Sequence, residues 1–170
     1  MARQFRAVQV DFGTGDGTFV RRMARARPDV LFVGVDAIAD NLRDASRRAG
    51  PNALFGRLAL EDAPGELAGF ADGLTVLLPW GSLLRAVGGD DLAALAKLRG
   101  ICKTGAEVRF VFETAPDSSD LERQYREAGL GLSGRPISVE EARDLPTSWA
   151  KKLGYSGRPR SFRDFQGRAI

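Results

Sequence analysis

Between Val8 and Gly17 the chain reads V-Q-V-D-F-G-T-G-D-G: an acid, Asp11, then glycines at alternate positions 13, 15 and 17. Glycine has no Cβ to clash, so this run lets the backbone turn sharply and approach a ligand closely. A helix starting directly after it would offer unpaired N–H groups and a partial positive charge. The dinucleotide pattern G-x-G-x-x-G fails because Thr18 stands in its sixth position, and no Gly-Lys-Ser/Thr of a Walker loop occurs. Glycines used for packing alone are the competing reading. Nineteen residues after Gly17, Asp36 closes the apolar run Val30–Val35. An acid there can accept hydrogen bonds from both ribose hydroxyls of a nucleoside, or cap the next helix, or do both. Glu61 and Asp62 follow a third candidate strand, where they could meet adenine or ribose. Trp80 stands between Pro79 and Gly81 after a fourth, which suits projection over a ligand crevice or packing under the next loop.

Absent residues narrow the chemistry. The chain has no histidine and one cysteine, Cys102. This excludes histidine general bases, a Ser-His-Asp triad, an intrachain disulfide and a cysteine-cluster metal site. No metal is expected. No apolar run reaches membrane-spanning length, and the start has no signal-peptide pattern, so a cytoplasmic protein without membrane contact is expected. The net charge of +3 is unevenly placed. Residues 147–170 carry six basic side chains and one acid, leaving the first 146 residues at −2. A basic tail on a mildly acidic body points to a polyanionic partner, or simply to a solvated surface.

The elements that must position these residues alternate along 170 residues, the length of one domain spanning 1–170. A strand ending at Asp11 precedes a helix over Thr18–Arg27. Val30–Val35 reads as a parallel strand buried on both faces. Ile38, Leu42, Ala45 and Ala49 would share the inner face of a second helix, broken at Gly50-Pro51. Strands are expected over Ala53–Ala59, Leu74–Leu78, Ala106–Phe112 and Leu130–Val139, with a last one over Ser161–Ile170. Asp90 or Asp91 would cap a helix carrying Leu92, Leu95, Leu98 and Cys102, and Ser119-x-x-Glu122 would form a capping box. A short acidic helix covers Val139–Asp144. The resulting fold class is α/β: a doubly wound, mostly parallel, Rossmann-like seven-stranded sheet with an antiparallel C-terminal edge.

The spacing D-x-G-x-G-x-G resembles the first motif of class I S-adenosylmethionine-dependent methyltransferases. Taken with L-L-P-W-G-S-L-L-R and the late S-W-A-K-K-L…R-P-R-S-F, it resembles the aminoglycoside-resistance methyltransferases of 16S ribosomal RNA. Those enzymes methylate N1 of a decoding-site adenine in the 30S subunit. The resemblance implies S-adenosyl-L-methionine as cofactor, 16S rRNA within the 30S subunit as partner, and a monomer. Asp11, Gly13, Gly15 and Asp36 would line the cofactor site, joined by Ala59, Glu61 and Leu77. Ser82 and Thr147 would lie near the methionine end and the target base. Trp80 and Trp149 would sandwich the flipped adenine and, with Ser82, make up the catalytic set. Arg47, Arg48, Lys152, Arg158 and Arg160 would hold RNA phosphates. The chain departs from the family in its short lead-in to the first strand and in the short connection ending at Gly50-Pro51. A smaller docking surface is therefore expected. Methylation of another RNA or of a small molecule, or a weakly active or inactive cofactor-binding homologue, are the alternatives.

Overall fold

A computed structural model describes residues 5–115, 117–153 and 160–170. Seven strands, β1 (Ala7–Phe12), β2 (Val30–Asp36), β3 (Ala53–Arg57), β4 (Ala71–Leu77), β5 (Cys102–Glu113), β6 (Leu130–Ile137) and β7 (Phe162–Ala169), form one sheet in the order β3-β2-β1-β4-β5-β7-β6. Pairs among β1–β5 are parallel, and β7 runs antiparallel between β5 and β6. The order reverses beside β1, which opens a crevice at the carboxyl ends of β1 and β4, where α/β proteins bind ligands.

Alternation along the strands supplies two cores. Val8, Val10 and Phe12 of β1, Leu74 and Val76 of β4, and Val108, Phe110 and Phe112 of β5 face one side. There they meet α3 (Gly81–Val87), α4 (Leu92–Ile101) and α5 (Ser119–Glu127) through Val87, Leu95, Leu98, Leu121 and Tyr125. Val30 and Phe32 of β2, Leu77 and Val111 face the other side. They pack with α1 (Thr18–Ala26), α6 (Val139–Arg143) and α7 (Ser148–Lys151). The β2 run is therefore apolar throughout because both its faces are covered. Helix α2 (Ala39–Arg47) flanks β2 and β3 near the sheet edge. Pro136 is tolerated because β6 is an edge strand. Among the described residues no helix is long and apolar enough to cross a membrane.

Several boundaries differ from the sequence expectation. Helix α2 buries Leu42 and Ala45, but Ile38 and Ala49 lie outside it and are exposed. β3 stops at Arg57, and Ala59 opens a short 3-10 turn, Leu60–Asp62. Cys102 starts β5 instead of ending a helix face. The box expected at Ser119 does not form: Ser118 is the N-cap, and the Glu122 carboxylate accepts from Gly134 N at 2.9 Å, tying α5 to β6. The capping box lies at Ser138 and Glu141, whose side chains each bond the other's backbone N–H. Helix α3 begins one residue after Trp80, where the sequence suggests a loop.

Asn52 joins α1 to the start of β3. Its buried amide donates to the carbonyls of Ala24, Arg27 and Val30 at 2.9–3.0 Å. Asn52→Ala takes this donor away, leaving the Arg27 carbonyl with Val30 N at 3.2 Å, and costs about 1–3 kcal/mol. The urea midpoint should fall with the slope of the transition unchanged.

Candidate active site

A cleft opens where β1, β2 and β4 end. It is lined by Phe12 and Gly13, by Asp36, Ala37 and Ile38, by Leu58 through Glu61, by Leu78 through Leu83, and by Trp149. The three helices that start beside it have Gly17, Ile38 and Trp80 at their N-caps, and none is capped by a side chain of that residue. Asp91, Ser138 and Thr147 do cap the helices they precede.

Close approach dictates the glycine turn. Gly13 has φ 77°, and a Cβ on it would sit 2.6 Å from Leu83 Cδ2 of α3. Gly15 has φ 57°, and a Cβ there would meet Trp149 Nε1 at 2.7 Å. The amides of Gly13 and Thr14 both donate to the carbonyl of Val35, at 2.8 and 2.9 Å. Gly15 N donates to Asp36 Oδ2 at 2.9 Å. Asp36 Oδ1 meanwhile accepts from Ile38 N at 2.8 Å, so this acid orders both the glycine turn and the approach to α2. Asn41 Nδ2 also donates to Oδ1, at 3.4 Å, so it is Oδ2 that retains a further lone pair for a ligand hydroxyl.

Asp11 plays a different part. It is 4% exposed and lies behind the turn, outside the cleft lining. Thr75 Oγ1 donates to its Oδ1 at 2.7 Å. Burial pushes its carboxyl up to about 6, against the lowering effect of Thr75 and of the Thr14 dipole and with a small push from Asp36. Thr14 Oγ1 is buried without a hydrogen-bond partner of ordinary geometry. Glu61 faces the cleft and is held below the usual carboxylate range, first by its own backbone N–H and then by the Ser82 hydroxyl. Glu61 lies in the 3-10 turn after β3, and Ser82 lies in α3.

Trp80 and Trp149 meet over the cleft with ring centroids 6.4 Å apart and planes inclined at 50°. The segment that presents Trp80 is bracketed by left-handed residues, Leu78 at φ 51° and Gly81 at φ 61°. Leu78 is the one non-glycine residue with positive φ among the described residues. Strain of this kind persists only where the surroundings impose it, and Leu78 N is tied to Val111 O at 2.7 Å. Trp80 is thereby turned outward and is 61% exposed. Trp149 rides on the four-residue α7, with the Lys152 ammonium 4.6 Å from its ring centre.

Gly13, Asp36, Ala59, Glu61, Trp80, Ser82 and Trp149, all expected at the site, line the cleft together. Gly15 borders it beneath Trp149. Thr147 is buried and caps α7, its Oγ1 accepting from Trp149 N at 3.4 Å, so it acts on the site through Trp149. Leu77 belongs to the core, and its neighbour Leu78 faces the cleft instead. Arg47 and Arg48 are exposed at the end of α2, with Arg47 Nη1 3.6 Å from Asp44. Arg160 lies against Phe162 and donates twice to Glu113 Oε2, at 3.1 and 2.7 Å. Arg158 lies outside the described residues. Sequence reasoning missed Ile38, 43% exposed, and Leu83. An apolar residue two positions after the Asp36 tip was the available signal for Ile38. Helical periodicity instead assigned it to the core.

The doubly wound sheet, the acid-tipped β2 and the glycine turn together define a protein of the class I methyltransferase architecture. The family model NpmA, described as 16S rRNA (adenine(1408)-N(1))-methyltransferase, matches residues 1–116. The chain belongs to this family. It is 35% identical to the 16S rRNA (adenine(1408)-N(1))-methyltransferase of Streptoalloteichus tenebrarius, over 92% of this chain and 84% of that protein. To the enzyme of the same description from Escherichia coli it is 28% identical, over 94% and 85%. The crystal structure of the 16S rRNA methyltransferase KamB superposes with a TM-score of 0.85 at 30% identity, covering 98% of this chain and 89% of that one. A tryptophan-to-alanine mutant of the Catenulisporales acidiphilia enzyme with cosubstrate SAM gives 0.81 at 25% identity, over 99% and 88%.

The raised carboxyl of Asp11 has a defined consequence for stability. Between about pH 4 and 6 the folded chain holds a proton there that the unfolded chain has lost. Unfolding free energy from this group therefore falls as pH rises through that window, by roughly 3 kcal/mol, and is level above it. The comparison to make is of urea unfolding at pH 4 and 7 for the native chain and for Asp11→Asn. The difference between the two proteins should change by that order across the window, in favour of the variant at pH 7.

Proposed function

We propose that this protein transfers the methyl group of S-adenosyl-L-methionine to N1 of the decoding-site adenine of 16S rRNA within the 30S subunit, and so confers aminoglycoside resistance. The observation that carries the proposal is the pair of indoles, one largely exposed, set across the mouth of a nucleoside-sized cleft.

The residues present fit the cofactor. Gly13 lines the cleft without a side chain, and Asp36 Oδ2 keeps a free lone pair beside the apolar side chains of Ile38 and Leu58. Asp36 would take the ribose hydroxyls, Ile38, Leu58 and Ala59 the adenine, and Gly13 and Gly15 the methionine portion. Asp11 supports the turn from behind. S-adenosyl-L-methionine, when bound, supplies an electrophilic methyl group on a sulfonium.

An adenine inside a helix cannot present N1, so it must leave the stack at a cost of a few kcal/mol. Stacking on an aromatic face returns about 1–3 kcal/mol per base, and Trp80 and Trp149 provide two faces. A base held between parallel rings needs them about 7 Å apart. From 6.4 Å and 50°, the indoles have to align more than they have to separate. N1 of neutral adenine carries a lone pair, so no residue has to remove a proton first. A chain without histidine is adequate, because catalysis here is alignment of acceptor with methyl. The methylated adenine is cationic, and indole faces favour a cation. Arg47, Arg48, Lys152, Arg158 and Arg160 would hold phosphates, with Arg160 exchanging Glu113 for RNA.

Purified protein, 30S subunits and labelled S-adenosyl-L-methionine should give one methyl per subunit and a reverse-transcription stop at that adenine. No incorporation, or a stop elsewhere, refutes the assignment. Trp80→Ala should lower kcat/KM about 10- to 100-fold, the equivalent of one stacking face, with cofactor affinity unchanged by calorimetry. Trp149→Ala should lose at least as much activity and should also weaken the cofactor, since its ring lies over Gly15.

A further inference from the structure

We infer that the free edge of β3 pairs with the same edge of a second copy of this chain, antiparallel about a two-fold axis at Phe55, to form a weak dimer. The family resemblance implies a monomer, and the dimer does not depend on the methyl transfer proposed above. β3 ends the sheet and pairs only with β2. Phe32 N donates to Asn52 O, and Leu58 N to Asp36 O, at 2.9 Å each. In the parallel ladder between those bonds Leu54 and Gly56 also turn their backbone groups to β2. The N–H and C=O groups of Phe55 and Arg57, and the C=O of Ala53, therefore point outward. Ala53 N is taken by Gly50 O at 3.1 Å.

The two edges of the sheet differ. On β6, Pro136 has no N–H to offer, and the N–H of Gly134 is taken by the Glu122 carboxylate. Both features close an edge to a further strand. β3 has no proline and no acid, and its one charged side chain, Arg57, donates to the Ala37 carbonyl. It exposes Leu54 instead, by 43%.

Self-complementarity names the occupant. Phe55 packs toward Gly17 and Gly34, so Leu54 and Gly56 share the other face of the strand. With the axis at Phe55, the two Phe55 residues exchange both backbone bonds, and each Arg57 N–H reaches the Ala53 carbonyl of the copy. Leu54 then stands directly opposite Gly56 of the copy. A Cβ on Gly56 would meet nothing within 4 Å, so there is open space for the leucine, and symmetry makes the contact twice. Arg57 falls opposite Ala53, so no like charges face each other across the ladder. The exposed charges of the flanking α2 are paired as Arg43 with Asp40 and Arg47 with Asp44, and add no net repulsion. A foreign strand would match the ladder alone, whereas a second copy also brings the leucine and the gap. Because the strands are antiparallel across the joint, the two clefts open at opposite ends of the dimer, and one RNA surface meets one of them.

A contact of this size lies at the low end for specific interfaces, so sedimentation of the native chain should show half of it paired at about 10–100 µM. Leu54→Lys puts a charge on the edge, and Gly56→Val fills the open space. Each should weaken the dimer at least about tenfold while melting like the native chain, since neither position is buried. The register is tested by oxidising a mixture of Leu54→Cys and Gly56→Cys chains. Opposed residues of such a pair have Cα atoms about 4.5 Å apart, within disulfide reach, and the native Cys102 is buried. A disulfide-linked dimer should form in the mixture and not in either variant alone. A native chain that stays monomeric at several hundred micromolar overturns the inference. So does a dimer that Leu54→Lys and Gly56→Val leave undisturbed. Cross-linking within the single variants but not between them overturns the axis at Phe55.

Discussion

The site depends on how closely other elements approach one backbone turn. Gly13, Gly15 and Gly17 all have positive φ, and a Cβ on each would strike a different element: Leu83 of α3, Trp149 of α7, and Ala45 of α2 with Phe55 of β3. The turn is held to β2 from beneath by the Val35 carbonyl and the Asp36 carboxylate. Four parts of the chain, far apart in sequence, thus converge on a surface without side chains. The indole pair inherits its geometry from this convergence, since Trp149 lies on Gly15 and Trp80 precedes the helix that carries Leu83.

Charge is arranged to leave the chemistry to position. Asp11 is buried behind the turn, and its carboxyl is pushed up by lost hydration. It strengthens the junction of β1 and β4 through Thr75 without touching the cleft. Glu61 at the front is held low by hydrogen bonds from its own amide and Ser82, so a charged acceptor faces the ligand side. Neither group has to exchange a proton with an adenine whose N1 already bears a lone pair.

The basic tail divides its cations between internal pairing and exposure. Its excess in the sequence suggests a cationic patch. In the structure Arg160 pairs with Glu113, Arg163 donates to the Gly134 carbonyl, and Arg168 bonds the Gly105 carbonyl beside Glu107. These cations stitch β7 to its neighbours and to the end of β5. Exposed arginines without an ion pair among the described residues lie on α1 (Arg22, Arg25), after α2 (Arg48), on α3 (Arg85) and on α5 (Arg126). Formal charge says how many cations exist, and packing decides which of them are free to meet a phosphate.

Local pattern carried the fold. Alternation marked β1, continuous apolar runs marked the strands buried on both faces, and the glycine spacing with its acid marked the ligand end of the sheet, because these signals act within a few residues. Position-specific outcomes needed tertiary contacts. Ile38 has the helical spacing of a core residue yet lines the cleft, because the Asp36 carboxylate takes its amide before α2 begins. Ser119 and Glu122 have capping-box spacing, but the Glu122 carboxylate accepts from Gly134 N of β6 instead. The sequence by itself determined most of the elements, the class of the sheet with its antiparallel edge, and the residue types available for methyl transfer. Only the folded chain decided that Leu78 replaces Leu77 in the cleft and that two tryptophans nearly seventy positions apart lie 6.4 Å from each other. Such pairings join distant segments through packing, which no short stretch of sequence encodes.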